Sequence, residues 1–90
     1  MRKWSKGGSM TESKHDIYNI IGKNIKKYRI RKGITQRKLA ENLLLSDSFI
    51  AKLESYTPQT LSIDTLELIA KELNEPITSF FDETVMYEKK

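Results

Sequence analysis

The apolar residues of this chain recur at intervals of three and four rather than two, and the only prolines are Pro58 and Pro76. That periodicity predicts an all-helical domain, cut into short pieces by local stop and start signals. From about Asp16 to Lys32, the residues Ile17, Ile21, Ile25 and Tyr28 share one stripe, with Lys23, Lys26, Lys27 and Arg31 turned toward water. Gly33 stops this helix, and Thr35 supplies an N-cap oxygen for a second, about 35–43, carrying Leu39, Ala40 and Leu43. Ser46 caps a third, about 46–55, where Asp47 suits the positive end of the helix dipole and Phe49, Ile50 and Leu53 supply the apolar contacts. Pro58 keeps 55–61 a loop. Ser62 restarts the pattern with Ile63, Leu66, Ile69, Ala70 and Leu73, and Asn74 tolerates the left-handed turn that ends it. Pro76 opens a short fifth helix bearing Ile77, Phe80 and Phe81, after which apolar content is too low to assign an element.

Ninety residues suit one domain. The absence of cysteine excludes disulfides and thiolate zinc sites, and the single His15 cannot by itself anchor a metal, so no cofactor is expected. The run Leu43-Leu44-Leu45 falls far short of the roughly 18 residues a membrane span needs. A cytoplasmic location without membrane contact is the expectation. Charge is unevenly spread: residues 1–40 hold twelve Lys or Arg against Glu12 and Asp16, while residues 41–90 hold four bases against ten acids. One end therefore suits a polyanion and the other would be repelled by it. Gly7-Gly8-Ser9 before a second methionine, Met10, reads as a linker, and without Arg2, Lys3 and Lys6 the formal net charge of +4 falls to +1. The expected organisation is a flexible basic leader over 1–15, with 1–9 linker-like, a helix-turn-helix domain over 16–82 and a tail over 83–90.

Two helices this short, joined by two or three residues, must cross steeply, which is helix-turn-helix geometry. The residues Thr35-Gln36-Arg37-Lys38-Leu39-Ala40, Leu45-Ser46, Ile50-Ala51-Lys52-Leu53-Glu54, the run from Ser62 to Leu73, and Phe80-Phe81 resemble the Cro/phage-repressor type of helix-turn-helix DNA-binding domain. The resemblance extends from about Ile21 to Phe81. It implies a five-helix phage-repressor-like fold that binds double-stranded DNA as a transcriptional regulator of the repressor kind, with helix 46–55 in the major groove and the protein acting as a homodimer. It also implies that Arg29 and Glu54 form a partly buried structural ion pair.

In that arrangement Asp47, Ser48, Ala51 and Lys52 meet base edges: Lys52 suits guanine acceptors, Asp47 a cytosine amino group, and Ala51 a thymine methyl. Gln36, at the start of its helix, anchors a phosphate, with Arg37 beside it, and Ser46, which also caps the groove helix, is a further expected DNA contact. Lys26, Lys27, Lys38 and the basic leader add long-range attraction. Three features depart from the family pattern. Leu44 stands where glycine is usual, so either the turn differs or it carries strain. Tyr56 replaces another frequent glycine, and the loop after Glu54 lacks Lys and Arg, leaving Ser55, Tyr56, Thr57 and backbone amides to meet phosphate. Asp47 puts a carboxylate near the DNA backbone, where repulsion lowers affinity. A second reading is a protein-interaction module on the same scaffold, antitoxin-like or polymerase-contacting. Ile77, Phe80 and Phe81, after Pro76, fit either a dimer contact or packing against the fourth helix. No Ser, His and Asp constellation supports catalysis, so an enzyme is not expected.

Overall fold

The computed structural model describes residues 17–55 and 60–87, and among them there is no strand. Four α-helices follow in order: α1 (Ile17–Lys32), α2 (Gln36–Leu43), α3 (Asp47–Glu54) and α4 (Ile63–Glu72). Each of the last three opens on a hydroxyl cap. Thr35 Oγ1 accepts from the Lys38 amide, Ser46 Oγ from the Phe49 amide and Ser62 Oγ from the Thr65 amide, at 3.0, 3.0 and 3.1 Å. A cap of this kind contributes about 1 kcal/mol to helices too short to persist alone.

Three helices also end alike. Gly33, Leu44 and Asn74 adopt φ of 79, 59 and 61°. The next amide in each case reaches back five residues, Ile34 to the Arg29 carbonyl, Leu45 to Ala40 and Glu75 to Ala70. This is the Schellman closure, in which one left-handed residue satisfies carbonyls that the helix leaves open. The turn between α2 and α3 thus takes the left-handed closure, with a leucine in the strained position.

The core joins Ile21 and Ile25 of α1, Leu39 and Ala40 of α2, Ile50 and Leu53 of α3, Leu66, Ile69 and Ala70 of α4, then Leu73 and Phe80. The sequence stripe is right in period but not at its ends. Ile17 and Ile63, each first in its helix, are 45% and 62% exposed. Ile20 and Asn24 are buried instead.

The expected fifth helix is a 3-10 turn, Ile77–Phe81, and a second, Glu83–Met86, follows it. The tighter wind has a long-range cause: Asn24 Nδ2, wholly buried, shares its two hydrogens among the carbonyls of Ile20, Phe80 and Asp82, each 3.0 Å away, so the chain at 80–82 turns its backbone oxygens toward α1 rather than into an α-helical ladder. Phe80 is fully buried, its ring edge-on to Tyr28 at 5.4 Å, and Ile77 packs on the core; of the three residues considered for a dimer contact only Phe81, 37% exposed, remains on the surface. Val85 is buried as well, so packing continues past residue 82 into the segment read as a tail. Asp82 caps the second turn through the Thr84 amide and hydroxyl, and those hydrogen bonds, with a smaller contribution from Lys27, hold its carboxyl below the usual value. Among the described residues no helix is long and apolar enough to cross a membrane. The leader 1–15 lies outside the described residues.

Candidate nucleic-acid interface

The phase of α3 decides which of its side chains face outward. Ile50 and Leu53 are 0% and 4% exposed and point into the core, so residues half a turn away must face solvent. Asp47, Ser48, Lys52 and Ser55 are exposed and Ala51 is half-buried, giving the helix one polar, outward face. Ser46, also exposed, uses its hydroxyl on the Phe49 amide, so it fixes the start of α3. Ser55 donates to the Lys52 carbonyl at 3.1 Å and closes the other end. Thr57 and Tyr56 lie outside the described residues.

Beside this face is a concavity walled by Asp47, Ser48 and Ala51 on one side and by Thr35, Gln36 and Arg37 on the other, with Ile30 and Gly33 of the α1 end closing it. The amino terminus of α2 opens into it, and helix termini of that polarity favour anions. Arg37 is highly exposed and lies 3.7 Å from Glu41, one turn on; a pair this open contributes a few tenths of a kcal/mol and leaves the guanidinium available.

Beneath the concavity lies a charged knot that holds three helices in register. Arg29 Nε donates to Glu54 Oε2 at 2.7 Å and a terminal nitrogen donates to Oε1 at 3.0 Å, a two-pronged pair with side chains only 10% and 3% exposed. The other terminal nitrogen of Arg29 donates to the Ile34 carbonyl at 2.8 Å. Gln36 Nε2 donates to the same Glu54 Oε1 at 3.0 Å. Glu54 therefore ties the end of α3 to both α1 and the first residue of α2. Bonding one amide hydrogen of Gln36 inward orients its remaining hydrogen and its carbonyl oxygen.

Two residues that shape the site are not evident from the motif. Gly22 lies where α1 crosses the end of α3, and a Cβ there would overlap the Leu53 carbonyl oxygen. A glycine in mid-helix, which costs about 1 kcal/mol, was the available signal. Ile30, 57% exposed, lines the concavity, and nothing in the helical period distinguishes it from a surface residue.

A model of the helix-turn-helix family matches residues 25–80, from within α1 to Phe80. The HTH-type transcriptional regulator SlrR of Bacillus subtilis (strain 168) is 37% identical over 71 residues, which cover 78% of this chain and 47% of that protein. The chain spans about half the length of this curated relative.

Proposed function

The chain belongs to the helix-turn-helix family of the Cro/phage-repressor type, and we propose that it is a transcriptional regulator, of the repressor kind, that binds double-stranded DNA sequence-specifically with α3 in the major groove. The observation that carries the reading is the outward face of α3: Asp47, Ser48 and Lys52 are exposed on a rod whose opposite face is locked into the core. A helix of this width fits the roughly 12 Å major groove. Lys52, Asp47, Ser48 and Ala51 are the base-reading residues. Gln36, Arg37, Ser55, Thr57 and the amino terminus of α2 hold the backbone. Arg29 and Glu54 touch no DNA in this scheme and set the angle between α1, α2 and α3.

The reading takes the active form to be a homodimer, since one module of this size covers too little groove for tight specific binding. Phe81 and Tyr87, exposed on the segment bound across α1, are the surface assigned to that contact. It requires no cofactor and no catalysis, and it locates the protein in the cytoplasm with its DNA. The competing protein-interaction role draws support from Leu44, an apolar side chain 93% exposed at the tip between α2 and α3.

Salt separates the two. Titration of labelled DNA, from a random-site pool and from upstream of the protein's own gene, at two ionic strengths should show binding that weakens steeply as salt rises, because each neutralised phosphate releases counterions. Binding to neither DNA, or binding indifferent to salt, overturns the DNA reading and favours the protein contact.

A further inference from the structure

The far end of α3 lacks a cation of its own: after Lys52 the chain offers no Lys or Arg until Lys71. DNA laid along α3 nevertheless carries its phosphates past that end. Which residue meets them can be read from one stripe of α1. Gly22, Lys26 and Ile30 follow at successive intervals of four and so lie along one edge of the helix. Contacts fix both ends of this edge. Gly22 abuts Leu53 and Glu54 at the end of α3, and Ile30 lines the concavity together with Ser48 and Ala51. Lys26 stands between them, about 6 Å along the axis from each. It is exposed, and because its edge is fixed at one end beside the end of α3 and at the other beside the concavity, that edge borders the proposed DNA-facing surface on the side where α3 ends. Glu54, the carboxylate at this end of α3, is already bound by Arg29 and Gln36 and almost wholly covered, so it does not draw the ammonium inward.

We infer that Lys26 is a DNA-backbone contact, a cation on α1 that grips the phosphate passing the end of α3 and takes over the task for which the following loop has no basic residue. This rests on the DNA-binding reading. A lysine in this place acts as a point charge on a flexible stem, so it strengthens binding to every sequence and distinguishes none.

The test compares the unmodified protein with Lys26→Gln, Lys26→Arg and Lys71→Gln on one selected DNA site and one unrelated duplex, over a series of salt concentrations, with thermal melts to verify that each variant is folded. Lys71 is exposed on α4 and has no part in the proposed interface, so its variant controls for net charge. For Lys26→Gln the slope of log affinity against log salt should become shallower by about 0.9 for each chain bound, with the same fractional loss on both duplexes. Lys26→Arg should retain the original slope, and Lys71→Gln should leave it unchanged. If the unmodified protein binds with a steep salt dependence and Lys26→Gln keeps that slope, or loses affinity on only one duplex, the Lys26 assignment falls while the DNA reading stands. If the unmodified protein shows no salt-dependent binding, both fall.

Discussion

Leu44 shows how one side chain can be wrong for its own backbone and still be retained. At φ 59° and ψ 38° it occupies the left-handed region, where a residue with a Cβ pays about 1–2 kcal/mol relative to glycine. Its side chain, 93% exposed, recovers nothing by burial. Leu44→Gly should therefore stabilise the domain by about 1 kcal/mol after allowing for the greater freedom of glycine in the unfolded chain, which raises the melting temperature by about 4–8 °C for a domain of this size. A thermal melt reads it directly, and an unchanged or lower midpoint would mean that the strain is absent or that Leu44 makes a contact of its own. Glu54 lies at the opposite extreme, since both oxygens of its covered carboxylate are engaged. Truncating it leaves Arg29 in a covered site with only the Ile34 carbonyl, and losing one partner of a buried pair costs about 3 kcal/mol or more. Gln36→Ala removes one hydrogen bond to the same carboxylate and should cost about half as much. Urea unfolding of the two variants tests the ranking; equal losses would show that the pair is solvated rather than desolvated.

Among the elements, the decisive contact is between α1 and the end of α3. Gly22→Ala would gain about 1 kcal/mol of helix propensity, yet its Cβ meets the Leu53 carbonyl, a backbone atom that cannot turn aside. The helices must separate, so the expected result is a net loss of about 2 kcal/mol in denaturant unfolding. A second expected result is a fall in DNA affinity at temperatures where the variant is fully folded, because α3 shifts relative to Gln36. Stability at or above that of the unmodified protein would disprove the close approach. The same contact marks the limit of what the sequence discloses. The four α-helices and their ends are legible because caps, left-handed stops and apolar period are local properties: Thr35, Ser46, Ser62, Gly33 and Asn74 each act within five residues. The outward set on α3 follows from the phase of Ile50 and Leu53 alone. The bond from Asn24 to the Phe80 and Asp82 carbonyls spans more than fifty residues, and no period announces it; hence a 3-10 turn stands where a fifth α-helix was expected. The Arg29–Glu54 pair is suggested by the family pattern rather than by spacing, and the share of Gln36 in it depends on how three helices cross.

At the scale of the whole molecule, the question is how a small domain with an acidic second half reaches useful affinity for a polyanion. Bases concentrated in residues 1–40 and Lys52 on α3 supply attraction, while Asp47 and Glu41 oppose it beside the groove face. A single copy bound through one short helix gains little, whereas two copies related by a two-fold axis double the phosphate contacts and require a matching DNA dyad. In the proposed dimer the two α3 helices meet major grooves about 34 Å apart, one turn of DNA. Inserting about five base pairs between the half-sites places the second groove on the opposite side of the duplex, so paired binding should be lost; about ten should restore the facing but stretch the contact. Phe81→Asp puts a charge on the surface assigned to the dimer, on a turn that packs chiefly on α1 and α4. It should convert paired binding into two independent, weaker events, with half-site preference unchanged. Sedimentation of Phe81→Asp and of the unmodified protein, with and without DNA, checks the same contact independently. Identical oligomeric states, together with binding indifferent to spacing, would remove Phe81 from the interface and leave the domain acting as single copies.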